Sequence, residues 1–132
     1  MIGLDTNIVV RFLAQDDDTQ SPIATVFMSQ LSRERPGFIS SVVLAEITWV
    51  LSRAYNASRE DIGRAVEGLL RSAELIVENA DAAYRALGAH QSSKSAEFAA
   101  ALIAQTASLA GATETVTFDQ GAASTLGMRL LR

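Results

Sequence analysis

The sequence predicts an α/β fold, a three-layer sandwich in which helices cover both faces of a mainly parallel, twisted sheet of four to five strands. Three observations carry this expectation. Short apolar runs alternate with longer amphipathic stretches along the chain, the runs end at polar or turn residues, and no repeat, low-complexity tract or Gly/Ser linker divides the 132 residues. A single domain over 1–132 is expected, because domains cluster at about 100–150 residues.

In order, Met1 to Leu4 is a short apolar strand ending at Asp5, and Asp5-Thr6-Asn7 offers cap chemistry for a helix over Ile8 to Ala14. Asp16 to Asp18 form an acidic turn. Ser21-Pro22 opens a second helix reaching Ser32, with proline at its favoured first position. Pro36-Gly37 precedes a strand at Phe38-Ile39, and Ser40 or Ser41 caps a helix to Tyr55. Ser58-Arg59-Glu60-Asp61 resembles a capping box for a helix to Ser72. Leu75 to Val77 reads as a third strand. Helices over Ala80 to Gln91 and Ser95 to Ala110 follow, the latter stopped by Gly111. Thr115 to Phe118 is a fourth strand ending at Asp119, and Met128 to Leu131 supplies a fifth.

Composition narrows the chemistry. There is no cysteine and one histidine, His90, which removes disulfide scaffolds, thiolate zinc sites, thiol nucleophiles and histidine-rich metal sites. The longest unbroken apolar run, Phe98 to Ala104, is far below the ~18 residues of a membrane span. MIGLD lacks a basic region and meets an acid at once, unlike a signal peptide, so a cytoplasmic location without a membrane is expected. The net charge of -4 argues against indiscriminate nucleic-acid binding. That acidity also has a second meaning, as the charge of an empty metal pocket.

Asp5 follows the first strand and Asp119 the fourth, so parallel strands would bring both to one carboxyl edge, where α/β sheets bind ligands. For either alone a helix cap is the commoner use of Asp at such a joint, and their pairing is what points beyond it. Glu46 interrupts Val42-Val43-Leu44-Ala45 and Ile47-Thr48-Trp49-Val50-Leu51, a helix apolar on almost every side, and is expected to have few routes to water. A narrow polar stripe with Thr48 and Arg53 is the alternative. Trp49 and Tyr55 read as core or interface residues. Glu97 opens a helix whose Ala100, Ala101 and Ala104 leave a bare side, and acids also favour first helical turns for electrostatic reasons alone. Together Asp5, Glu46, Glu97 and Asp119 would be an all-oxygen donor set suited to Mg²⁺ or Mn²⁺. Such a site can bind a phosphate oxygen and activate water for phosphodiester hydrolysis. All basic residues but Lys94 are arginines, suited to phosphate contact, and Arg11 is the candidate substrate-binding residue.

MIGLDTNIVVRFL, SSVVLAEITWVLSRAY, AEFAAALIAQTASLAG and TVTFDQGAASTLGMRLL, in this order, resemble the successive motifs of PIN-domain ribonucleases. The likeness is strongest to VapC-type toxins of type II toxin-antitoxin pairs. The resemblance implies the PIN fold, an Mg²⁺- or Mn²⁺-dependent endoribonuclease leaving 5′-phosphate and 3′-hydroxyl ends, a VapB-type antitoxin and a homodimer or larger toxin-antitoxin assembly. It puts the family's first, second and fourth acids on Asp5, Glu46 and Asp119, with Thr6 and Asn7 as the polar companions of the first. Family members commonly read DALIA where this chain reads Ala100-Ala101-Leu102-Ile103-Ala104, so Ala100 stands at the third acid's position. Glu97, one turn earlier, is the candidate replacement. An attenuated or inactive enzyme is therefore expected, with a catalytically dead, partner-binding PIN protein as the alternative. Two other Mg²⁺-binding classes fit less well: a receiver domain needs Asp after its third strand, where Glu78 stands, and a haloacid-dehalogenase-like phosphatase needs Asp-x-Asp where Asp5-Thr6-Asn7 stands.

Overall fold

The computed structural model describes residues 1–132, which form two compact units, Met1–Glu78 and Asn79–Arg132. In the first, β1 (Ile2–Gly3), β2 (Gly37–Ile39) and β3 (Leu75–Val77) form a parallel sheet in the order β1-β2-β3. Ile2 pairs with Gly37, and Ile39 with Val77. The crossovers between parallel strands are helix pairs: α1 (Thr6–Ala14) with α2 (Gln20–Ser29), then α3 (Ser41–Arg53) with α4 (Arg59–Arg71).

Gly37 shows why the central strand begins as it does. A Cβ there would lie 2.8 Å from Leu4 Cδ1 and 3.0 Å from both Leu31 Cδ1 and Leu75 Cδ2, so the packing of three leucines requires a residue without a side chain. Two residues on, Ile39 is fully buried, joined in the core by Val9, Leu44, Ile47 and Val66. α1 packs on α2 and α3, and α3 on α4. Both long helices start as the sequence indicates: Ser40 Oγ accepts from Val43 N at 3.1 Å, and Ser58 Oγ from Asp61 N at 3.1 Å.

The second unit contains α5 (Ala80–Ser92), α6 (Phe98–Leu109), β4 (Val116–Thr117), α7 (Gln120–Leu126) and β5 (Arg129–Leu130). α5 and α6 pack together with Ala82, Ala83, Ala86 and Ala101 among their buried residues, small side chains that let helix backbones approach closely. His90 Nδ1 lies 2.9 Å from the Ala96 carbonyl and the ring meets Phe98 edge-on at 6.5 Å, fastening the loop that leads into α6. β4 and β5 run parallel, Val116 opposite Arg129, and Arg129 holds Glu114 through three contacts of 2.8 to 3.1 Å.

The α/β class and the parallel pairing are as expected. The five strands, however, form hydrogen-bonded ladders of three and two rather than one sheet of four to five. β4 is two residues long and pairs with β5 across the short crossover of α7. α7 was not among the expected elements, although the explanation of Asp119 as a helix cap implied one there; it has seven residues, with Gly121 inside it and Gly127 at its C-cap. α6 begins at Phe98 rather than Ser95, because Glu97 is extended, at φ -78 and ψ 141, and occupies the N-cap position. No helix is long and apolar enough to cross a membrane.

Candidate functional site

The first unit brings two of the four predicted acids onto one side chain. After β1, Leu4 is buried and its N–H donates to Phe38 O at 2.9 Å, which anchors the chain as it leaves the sheet. Asp5 is extended, at φ -81 and ψ 159, and its Oδ1 accepts from Thr6 N at 2.7 Å, capping α1. Thr6 is buried, and its hydroxyl donates to Glu46 Oε1 at 3.4 Å from a residue forty positions away. One threonine thus ties the end of β1 to the middle of α3, its amide serving one carboxylate and its hydroxyl the other. Asn7 is exposed in the first turn of α1.

Glu46 differs from its expected surroundings, for it is exposed. The buried side of α3 is Leu44, Ile47, Thr48 and Leu51, the spacing of a single helical stripe, so Glu46 falls on the opposite side. Thr48 does not share a polar stripe with it: it is buried and donates to Ala45 O at 2.9 Å. Nor is Trp49 a core residue, at 53 % exposed with the Arg53 guanidinium 4.9 Å from its ring centroid.

Arg11 is committed to its own neighbourhood. Its Nε donates to Gln20 Oε1 at 2.8 Å and its Nη1 to Tyr55 Oη at 3.1 Å, while Asp16 and Asp17 lie 3.6 and 3.9 Å from its guanidinium. Tyr55 in turn donates to Asp16 Oδ1 at 3.3 Å. The backbone N–H groups of Gln20 and Thr19 hold the Asp17 carboxyl below the usual carboxylate range, with a smaller contribution from Arg11. This knot joins the α1–α2 turn to the end of α3. Nothing in the spacing of Arg11, Asp16 and Tyr55 announced it, because it depends on where α3 stops.

In the second unit, Glu97 is exposed at the N-cap of α6, and its side chain makes no capping hydrogen bond. Ala100 lies in the first turn of that helix, half-exposed. Asp119 caps α7: Oδ1 accepts from Ala122 N at 3.1 Å, and its own N–H donates to Thr117 Oγ1 at 3.0 Å. The cap uses one carboxylate oxygen and leaves the other to solvent.

Compared with known protein families, residues 2–125 match the PIN domain. The chain belongs to the PIN-domain family. PIN domains are generally nucleases, and PIN-domain nucleases generally use divalent metal ions. No curated protein and no solved structure matches the chain. The PIN match takes in both units, and with them Asp5, Glu46, Glu97, Ala100 and Asp119.

The donor chemistry of this PIN domain suits a hard cation, since its candidate ligands are carboxylates with neither thiolate nor converging imidazole. Neither unit gathers three or more His, Asp or Glu side chains, and the nearest approach to a cation site is the Asp5–Glu46 pair on Thr6.

Proposed function

We propose that this PIN domain, read as one domain over residues 1–132, is the toxin of a type II toxin-antitoxin pair, a VapC-type endoribonuclease attenuated or inactive as written. The observation that carries the proposal is the Asp5–Thr6–Glu46 corner: two carboxylates from distant sequence share one buried threonine at the strand edge where α/β folds bind ligands. In this reading Asp5 and Glu46 are metal ligands, completed by Asp119 and, with its longer side chain, by Glu97 in place of the acid absent at Ala100. Thr6 orients the two carboxylates and Asn7 accompanies Asp5. A bound Mg²⁺ or Mn²⁺ supplies neutralising charge and activation of a water molecule for in-line attack on phosphorus. The chain's own acids would hold and position that ion, whose charge would offset their repulsion of the scissile phosphate.

Arg11 is the weakest member of the proposed set, because its guanidinium already serves Tyr55, Gln20 and the Asp16–Asp17 turn. A cytoplasmic location, a VapB-type antitoxin and a homodimer or larger assembly complete the proposal. A second reading, a catalytically dead PIN protein that acts by binding a partner, draws support from Ala100.

The test is cleavage of structured RNA by the antitoxin-free chain in Mg²⁺ or Mn²⁺, beside Asp5→Ala, Glu97→Ala and Ala100→Asp. Weak or no cleavage is expected from the unchanged chain and a large gain from Ala100→Asp. Full activity that survives Asp5→Ala would overturn the metal-site reading. If the gain fails to appear in Ala100→Asp, the binding-only reading takes its place.

A further inference from the structure

The outward side of α3 carries more than Glu46. Seven residues are nearly two helical turns, so Glu46 and Arg53 lie within ~20° of the same helix face and ~10 Å apart along the axis. Trp49 stands between them, three residues after Glu46 and about 60° around the helix. Trp49 is 53 % exposed although it is the chain's one tryptophan, and Arg53 lies against its ring while entering no ion pair. The remaining large side chain on this stripe is Val42, which is also exposed.

From this stripe we infer that Trp49 and Arg53 form a platform for single-stranded RNA, a base stacking on the indole and a phosphate meeting the guanidinium, with the strand then passing Glu46. The inference rests on the ribonuclease reading and adds to it the positioning of substrate. An indole face accepts any base, and a guanidinium without a carboxylate partner retains its charge for phosphate. Arginine stacked on tryptophan keeps its side-chain order at little added cost on binding. Tryptophan and arginine also mark protein interfaces, so a second copy of the chain is the competing occupant; an apolar partner would have to desolvate Glu46, whereas the unpaired Arg53 guanidinium offers its charge to a phosphate.

Because the chain has one tryptophan, its fluorescence reports this position alone. The full chain carrying Asp5→Asn, which removes the charge and keeps a good N-cap residue, is titrated with a single-stranded oligoadenylate. Trp49 emission should quench to saturation, and an abasic strand with the same number of phosphates should bind more weakly without quenching. Affinity measured by anisotropy of a labelled strand should fall about tenfold or more for Trp49→Ala and recover largely in Trp49→Phe. Arg53→Gln should lower the slope of log affinity against log salt by about 0.7. In the Ala100→Asp background, if that chain cleaves, Trp49→Ala should raise KM and leave kcat little changed.

Tight binding with unmoved emission and no loss in Trp49→Ala would overturn the platform and leave the ribonuclease reading standing. Emission that instead changes on dilution of the protein, with a doubled sedimentation mass, would assign the stripe to contact between copies and overturn the platform too. Absence of both oligonucleotide binding and cleavage, in the unchanged chain and in Ala100→Asp, would remove the ribonuclease reading and the platform with it.

Discussion

The two units are built from different materials. The largest fully buried side chains, Ile39, Leu44, Ile47, Val9 and Val66, all belong to the first, where branched residues fill space around a three-stranded sheet. The most frequent buried residue of the second is alanine, with Leu87, His90, Phe98, Leu102 and Met128 as its larger members, and α7 buries no residue at all. The acids follow the same division. Asp5 and Glu46 share a buried threonine donor, whereas Glu97 and Asp119 stand at exposed helix starts.

This contrast makes the units break in opposite ways. Emptying the first should cost most: Ile47→Ala is expected to destabilise by about 2–5 kcal/mol, read as a lowered urea midpoint. Filling the second should cost less but in the unusual direction, with Ala101→Leu losing about 1–3 kcal/mol by overpacking where α5 and α6 meet. Equal tolerance of both changes would erase the distinction. Among the caps, Ser40→Ala should cost about 1 kcal/mol, because α3 is anchored in the core, and Asp119→Ala less than that. A cap on a seven-residue helix with no buried residue has little global stability to transmit.

The smallest effect concerns pH. The hydrogen bonds and charge of Arg129 hold the Glu114 carboxyl below its usual range. A depressed carboxyl contributes stability that is present above its unfolded pKa and lost as pH falls through its folded one. Glu114→Gln should therefore lower Tm slightly near neutrality, and its Tm should converge on that of the unchanged chain once pH falls below the usual carboxylate range. A constant Tm difference across that window would show that the pair does not hold β5 in solution.

Much of the architecture was legible in the sequence where local signals and burial agree. β3 spans Leu75–Val77 as expected, Ser58 caps α4 as expected, and of the two serines expected to cap α3 it is Ser40 that does so. α7 was not legible, because two glycines and seven residues carry too little periodicity to mark a helix. Glu46 was expected to lie among apolar neighbours, and it lies exposed. The apolar count of α3 is high, yet which residues face inward is decided by its packing on α1 and α4, and that leaves Val42 and Trp49 as well as Glu46 outside. Arg11 illustrates a further limit, since its partners Asp16 and Tyr55 are fixed by chain geometry rather than by spacing. Thr6 was recognisable as a companion of Asp5; its bond to Glu46 needed the structure.

The central claim is that Asp5 and Glu46 belong to a cation site left incomplete at Ala100. Calorimetric titration of Mn²⁺ into the unchanged chain, Ala100→Asp, and Ala100→Asp combined with Asp5→Ala tests it most directly. The account predicts weak binding by the unchanged chain, a gain of tenfold or more in Ala100→Asp, and loss of that gain when Asp5 is removed. Mn²⁺ affinity unaltered by Ala100→Asp, or a gain that persists without Asp5, would contradict it.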